Sequence, residues 1–205
     1  MNSSSNTPTQ SICENHTITL IADSKITPQI VKARGYYCSC NLDNPMQLLQ
    51  ELGYNNSFDS FMVIPLTDIA GNVTNQIRID NPPADYPKYL APPGATNILD
   101  IPPGTKAAAK NSATTLIITE GAKKADSINS ALTSDLNAVA VSLSGVWNFR
   151  SKSNGVIADI DELALKNRDV ILAFDSDQLE NLKVSQALFE LHKVLEKRKS
   201  IVKSF

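Results

Sequence analysis

Two stretches decide the fold of this chain: TLIITEG at residues 115–121 and VILAFDSD at residues 170–177. Each is an apolar run of strand length that ends abruptly in acidic residues and is followed by a helical pattern. In an open parallel sheet, ligands bind at the carboxyl ends of the strands. We therefore expect Glu120, Asp175 and Asp177 to meet at one edge of a sheet, although they are far apart in the sequence.

The sequence around these stretches alternates between strand and helix patterns, which predicts an α/β fold with a parallel sheet and flanking helices. The predicted strands are 114–119, 138–143, 169–174 and 201–205, and the predicted helices are 122–132, 159–165 and 182–199. The connections are long enough for parallel crossovers, which are right-handed in almost all proteins.

The preceding part of the chain has the signals of a smaller α+β unit. Thr27 and Pro28 are typical of a helix start, and Gly35 is typical of its end. A second short helix is predicted at 46–52, directly after an Asn-Pro pair. Residues 58–81 predict a hairpin of two strands with a glycine-containing turn.

The proline- and glycine-rich segment 82–104 fits neither a helix interior nor a central strand. It is either an interdomain linker or an ordered loop that presents Lys88 and Tyr89. The polar residues 1–11 predict a disordered tail.

Composition narrows the class of protein. The chain has 205 residues, a formal net charge of −2 and ordinary hydrophobic content. It has no apolar run of membrane-spanning length and no signal-peptide core, so we expect a cytoplasmic protein with no membrane partner. The charge is not that of a strongly basic nucleic-acid binder, so nucleic acid would have to be held by a local patch, a cation or a partner domain.

The three cysteines, Cys13, Cys38 and Cys40, argue against a disulfide framework because their number is odd. Together with His16 they supply four potential zinc ligands. The spacings C-x-x-H and C-x-C match common zinc sites poorly, so the sequence favours ordinary thiols.

The acidic residues at the strand ends have two interpretations. Asp175 and Asp177 point to the same side of an extended chain, where they repel each other unless a cation such as Mg²⁺ or Mn²⁺ lies between them. Alternatively, Asp177 caps the following helix. Glu120 is either a costly buried carboxylate that needs a partner or an exposed residue in the first turn of a helix.

Three segments, at 118–126, 143–150 and 168–177, resemble the Toprim domain. This module is shared by bacterial primases, topoisomerases and some nucleases. The amino-acid sequences of these segments resemble those of the primase-like Toprim proteins of the DUF3854 type (domain of unknown function). Proteins of this type are typical of plasmid, phage and cyanobacterial replication. The resemblance implies a Toprim Rossmann-like parallel sheet with flanking helices, preceded by a small α+β subdomain.

The resemblance extends upstream to segments 64–73, 76–78 and 88–94, which look like the region before Toprim in DnaG-type primases. In that family, basic residues of this region face the template, and Arg78 and Lys88 are the matching positions. The predicted organisation is a tail at 1–11, an N-terminal α+β primase-like subdomain at 12–110 and a Toprim domain at 111–205.

The activity implied by this resemblance is primer synthesis from NTPs on single-stranded DNA with Mg²⁺ or Mn²⁺. Asp175 and Asp177 would bind the metal, and Glu120 would complete the metal site or act as general acid or base. Contacts to nucleotide or template are expected from Arg78, Lys88, Lys123, Lys124 and Arg150. A replicative helicase, fused or recruited, is an expected partner.

Two other functions stay open: a metal-dependent Toprim nuclease and a non-catalytic module that binds nucleic acid or nucleotides. A topoisomerase does not fit, because none of the tyrosines lies in the Toprim part. The primase-like Toprim proteins that this chain resembles usually continue past the last Toprim strand into a further acidic segment. We therefore expect this chain to be a fragment of a larger polypeptide or a shortened relative.

Overall fold

The structure, a computed structural model, describes residues 11–153, 155–174 and 182–204. The α-helices are α1 (Glu14–Ile18), α2 (Pro28–Arg34), α3 (Pro45–Glu51), α4 (Lys106–Ala109), α5 (Ala122–Ala131) and α6 (Leu182–Lys197). The strands are β1 (Tyr37–Cys38), β2 (Phe61–Thr67), β3 (Val73–Ile79), β4 (Tyr89–Leu90), β5 (Leu99–Asp100), β6 (Thr115–Thr119), β7 (Ala138–Leu143), β8 (Asp169–Leu172) and β9 (Ile201–Ser204).

The N-terminal sheet has the strand order β1-β2-β3-β4, and all of its pairs are antiparallel. The predicted hairpin is confirmed as β2 and β3. Its turn is held by the Asp68 carboxylate, which accepts hydrogen bonds from the backbone N–H groups of Gly71 at 2.7 Å and Asn72 at 2.8 Å. Gly71 has a φ of 107°, a conformation that favours glycine.

The second sheet has the order β5-β7-β6-β8-β9. The pairs β6–β7, β6–β8 and β8–β9 are parallel, whereas β5 runs antiparallel to β7. The α/β fold with a parallel sheet and flanking helices is therefore confirmed, as is the small α+β part before it. The carboxyl ends of β6 and β8 lie side by side, as the sequence predicted.

β2 is buried on both faces, and its side chains alternate between two apolar clusters. Phe61 and Val63 pack with α3, whereas Met62, Ile64 and Leu66 pack with α2. The second of these clusters also contains Ala122, the first residue of α5. The N-terminal sheet therefore packs directly against the start of the helix that follows β6.

A buried arginine fastens the two parts of the molecule together. All five N–H groups of the Arg34 guanidinium are used: they donate to the Pro65 carbonyl and, at 2.5–3.1 Å, to both oxygens of Asp100 and of Asp126. The Tyr36 hydroxyl also donates to Asp126, at 2.7 Å. Burial works to lower the pKa of Arg34, but the charges of the two carboxylates outweigh it and raise that pKa.

The structure differs from the sequence-based expectation at two places and decides between two open alternatives at a third. Residues 14–18 form α1 and residues 19–23 continue it as a π-helical turn, where no element was predicted. The predicted helix at 159–165 is a 3₁₀ turn at Ala158–Glu162, the geometry that is typical of such short helical pieces. The segment 82–104 contains β4 and β5, so the structure supports the ordered-loop interpretation.

Within the described residues, no helix is long and apolar enough to cross a bilayer.

Candidate functional site

A cleft of about 610 Å³ lies at the carboxyl ends of β6 and β7. One wall comes from the N-terminal sheet, which contributes Ile64, Gln76, Lys88 and Tyr89. The opposite side is built by the start of α5, the loop after β7 and one residue of α6. The cleft is thus formed where the two sheets meet, at the edge where an open parallel sheet binds its ligands.

Glu120 leaves β6 directly into this cleft. Its side chain is only 11% exposed, so the interpretation as an exposed first-turn residue is wrong. Oε1 accepts a hydrogen bond from the Lys124 ammonium, but Oε2 is buried and receives no donor from the part of the chain that the structure describes. Burying a carboxylate oxygen without a hydrogen-bond donor costs free energy. Binding of a hard cation such as Mg²⁺ would compensate for the missing donor.

The neighbouring strand β8 brings the second acidic stretch towards the same edge. Ile118 of β6 pairs with Leu172 of β8, and the Ala173 N–H donates to the Ile118 carbonyl at 2.9 Å. Asp175 and Asp177 come next in the sequence but lie outside the described residues. The convergence of the three acids therefore stays a prediction.

Three cations crowd the rim of the cleft beside the N-terminal sheet. Lys88 and Lys123 both line the cleft. Burial lowers the pKa of Lys123 to about 8, and the positive charges of Arg78 and Lys88 act in the same direction, against Asp23. Such crowding leaves an excess of positive charge that an anion can neutralise.

Arg78 lies on β3 beside the cleft and not among its lining residues. Its Nη1 donates to Asp80 Oδ1 at 3.0 Å, while its Nε is buried and has no acceptor within the described chain. This guanidinium is therefore held in place on one side and retains an unused donor.

The structure gives Arg150 partners within the protein. Its guanidinium lies over the Trp147 ring, 4.7 Å from the centroid, and forms an ion pair with Glu190 of α6. Arg150 is not among the residues that line the cleft, so its predicted contact with nucleotide or template stays a prediction. Trp147 is the platform for Arg150 in this structure.

The loop after β7 lines the cleft and contains a tight turn. Gly145 has a φ of 139°, and a Cβ placed there would lie 3.4 Å from Asn148 Nδ2. The same Nδ2 donates to the Ser144 carbonyl at 2.8 Å, which closes the turn. A Ser-Gly pair directly after an apolar strand is a recognisable signal for such a turn, and the sequence predicts a loop or short turn at 146–150.

A second cluster, which sequence reasoning set aside, lies in the N-terminal part. The ligand atoms of Cys13, His16, Cys38 and Cys40 all lie within 4.8 Å of one another. The sequence favours ordinary buried or surface thiols; the structure has all three cysteines as free thiols and brings them together with His16. Spacing gave no clear signal because the two halves of the cluster are brought together by α1 and β1, not by a compact zinc-binding motif.

Residues 106–205 match the protein family described as a domain of unknown function, DUF3854. No protein of curated function matches the sequence.

Solved structures of bacterial and phage primases share the fold. The Aquifex aeolicus primase (zinc-binding and RNA polymerase domains) has a TM-score of 0.58 at 15% identity, over 90% of this chain and 47% of that one. The DnaG primase catalytic domain bound to single-stranded DNA has a TM-score of 0.55 at 16% identity, over 92% and 64%. The primase fragment of the bacteriophage T7 primase-helicase has a TM-score of 0.52 at 15% identity, over 95% and 70%.

At these identities the likeness concerns the fold alone. The chain spans 47% of the Aquifex structure and 64% of the DnaG catalytic domain, so it corresponds to part of each. Its described residues thus share the fold of part of the DnaG-type primase catalytic core, and residues 106–205 match DUF3854.

Proposed function

We propose that this protein is a primase-type Toprim nucleotidyltransferase of DNA replication, which joins NTPs into a primer on single-stranded DNA. The observation that carries the proposal is Glu120: a buried carboxylate in a cleft at a parallel sheet edge, with one oxygen that no described residue satisfies. The likeness in fold to DnaG-type primase cores supports the same activity.

The divalent cation would be held by Glu120, Asp175 and Asp177. When bound, Mg²⁺ or Mn²⁺ would supply neutralisation of phosphate charge and orientation of the attacking hydroxyl. Glu120 is suited to this role because its partner Lys124 neutralises only Oε1 and leaves Oε2 available. Hard carboxylate oxygens are the ligands these ions prefer.

The cations at the rim would bind the phosphates of nucleotide and template. Lys88 and Lys123 line the cleft, and Arg78 lies beside it with a buried, unused N–H. The desolvated Lys123 ammonium and the buried Arg78 N–H would bind phosphate oxygens more strongly than an exposed cation such as Lys88, because water competes less. Lys124 would orient Glu120, and Arg150 would contribute through the loop that carries Trp147.

The partners follow from the same proposal. One of the similar structures is part of a phage primase-helicase, and another is a primase bound to single-stranded DNA. We infer that the present chain acts on single-stranded DNA together with a replicative helicase, fused or recruited, in a plasmid or phage setting.

Primer synthesis is the direct test. The full chain is incubated with labelled NTPs, a single-stranded template and Mg²⁺ or Mn²⁺, with and without a chelator. The double variant Asp175→Asn with Asp177→Asn should abolish extension while the thermal unfolding midpoint is retained. Asp169→Asn is the matched control, because Asp169 is an exposed acid at the opposite end of β8, and it should leave synthesis unchanged.

The same reaction separates the competing functions. Extended products that disappear in the double variant support the primase. Shortened template with no extension means a nuclease, and binding of template with neither product means a non-catalytic module. Either of the last two results would overturn the proposed synthesis.

A further inference from the structure

We propose that Cys13, His16, Cys38 and Cys40 bind a structural Zn²⁺ ion, at a site separate from the cleft. Their four ligand atoms lie within 4.8 Å of one another. Three thiolates and one imidazole are a ligand set of structural zinc sites, and soft sulfur ligands select zinc over magnesium. The ligands come from two segments: the start of α1 and the end of β1 with the residues that follow it.

The orientation of His16 is the strongest argument for a metal. Its Nδ1 faces two sulfurs, at 3.4 Å from Cys13 Sγ and 3.4 Å from Cys40 Sγ. Its Nε2 lies 2.7 Å from Asp80 Oδ1. A carboxylate at Nε2 holds the proton there and leaves the Nδ1 lone pair directed at the sulfurs, which is the carboxylate–histidine–zinc arrangement of metal sites.

The carboxylate is itself held in place. Asp80 accepts hydrogen bonds from Arg78 Nη1, at 3.0 Å, and from the Ser60 hydroxyl. These donors fix the Asp80 oxygens independently of His16. A ligand whose supporting residue is anchored in this way is pre-organised for the ion.

The three cysteines are free thiols in the structure, and none of them is joined in a disulfide. Cys13 Sγ and Cys40 Sγ are 2.9 Å apart. A disulfide requires about 2.05 Å, whereas a Zn–S distance of about 2.3 Å places two sulfurs of a tetrahedron roughly 3.8 Å apart. Because Cys40 is exposed, its side chain can rotate outwards by the difference without disturbing the core.

The backbone also prepares the site for thiolates. The Cys13 N–H donates to Cys38 Sγ at 3.2 Å. An N–H directed at sulfur stabilises its negative charge. Cys38 is buried and Cys40 exposed, so the ion would enter from the Cys40 side.

All four positions of a tetrahedron are filled by protein ligands, so the site is structural and not catalytic. The ion would fasten the N-terminal segment to β1. Through Asp80 it would also reach Arg78 on β3, which lies beside the candidate cleft.

Metal analysis of the full chain, purified under reducing conditions, is the first test. We expect one zinc per chain that survives desalting. X-ray absorption should give three sulfurs at about 2.3 Å and one nitrogen at about 2.0–2.1 Å. A chain with three free thiols and no stoichiometric zinc would overturn the proposal, as would a Cys13–Cys40 disulfide in its place.

Histidine variants give a matched control, because the sequence contains only two histidines, His16 and His192. His16→Asn should lose the zinc, whereas His192→Asn, on α6, should retain it. Asp80→Asn should weaken zinc affinity by about 10- to 100-fold without abolishing binding. Equal zinc content in the two histidine variants would contradict the assignment.

Cobalt provides a readout that needs no variant. Co²⁺ added to chelator-treated wild-type chain should produce thiolate-to-cobalt charge-transfer absorption, which added Zn²⁺ should displace. Absence of that absorption in the folded wild-type chain would refute the site. None of these readouts depends on primer synthesis, so they stand apart from the proposed function.

Discussion

At the residue scale, Lys123 combines a position in the cleft with a pKa of about 8, lowered by burial and by the nearby charges of Arg78 and Lys88. A phosphate bound beside it would stabilise the ammonium form and raise this pKa in the complex. The complex then binds more protons than the free protein. Affinity for an anion is therefore full below about pH 8 and falls as the pH rises above it.

We predict that the affinity of the chain for a single-stranded oligonucleotide falls by at most about tenfold between pH 7 and pH 9, since one proton is linked. In Lys123→Arg, the cation stays charged over this range and the decline should vanish. Fluorescence anisotropy at constant ionic strength measures both proteins. An identical decline in the variant would show that another group is responsible.

Glu120 gives a second prediction at this scale. Glu120→Gln removes a buried charge whose Oε2 has no donor in the described chain, so the thermal unfolding midpoint should not fall. Primer synthesis, in contrast, should fall at least about a hundredfold, because the amide is a poor substitute for a metal-binding carboxylate. A variant with lost stability and intact synthesis would identify Glu120 as a structural residue.

The position of Glu120 could be predicted from sequence, because an apolar strand that stops at an acid marks a sheet edge. Its burial could not, because the cover comes from the N-terminal sheet, which lies far away in the sequence. The cysteine cluster could not be predicted for the same reason. His16 is oriented towards the sulfurs by its contact with Asp80, which lies far away in the sequence.

At the element scale, Arg168 holds α4 and β6 in register. It is fully buried, and its guanidinium donates to the carbonyls of Ala108, Ala109 and Thr114 at 2.5–2.9 Å. Burial lowers its pKa to about 10, so it is still charged at neutral pH. The arginine satisfies the Ala109 carbonyl at the end of α4, whereas the Ala108 carbonyl also accepts the Asn111 N–H at 3.1 Å.

We predict that Arg168→Met costs about 3 kcal/mol, because it leaves buried carbonyls without donors. The unfolding midpoint should fall by roughly 6–12 °C for a chain of this size. Arg198→Met is the control: Arg198 is partly exposed and pairs with Asp161 at the surface, so its loss should shift the midpoint little. Equal effects of the two substitutions would contradict this account.

Element bounds were predictable where local chemistry sets them. Thr27, Pro28 and Gly35 delimit α2 as expected, with Gly35 at a φ of 75°. Strand β7 has the predicted bounds, because its apolar run is interrupted by turn residues at both ends. Helix α1 was missed because its sequence has no apolar periodicity, and it is fixed by contacts of Cys13 and His16 with distant residues.

At the scale of the whole molecule, Arg34 decides whether the two parts can exist separately. Asp126 is fully buried on α5, and burial raises its pKa despite the nearby guanidinium. The family match begins at residue 106, beyond both Arg34 and Asp100. A fragment of residues 106–205 would therefore contain a buried acid without its cation.

We predict that Arg34→Met destabilises the full chain by about 3–5 kcal/mol, because two buried carboxylates lose their partner. The deficit should shrink as the pH falls. A folded-state pKa above the unfolded value means that stability is present at low pH and is lost as the pH rises through the folded pKa. Lys32→Met, an exposed cation on the same helix, should change stability little. Chemical unfolding at several pH values measures all three proteins.

The five donors of Arg34 also limit how this chain can be recombined. A chimera that takes the segment around Asp126 from this protein, and everything upstream from another, inherits an acid that demands a positive charge at one fixed place. Such a chimera can fold only if the protein that supplies the upstream part has an arginine at the equivalent position, or if Asp126 is replaced as well.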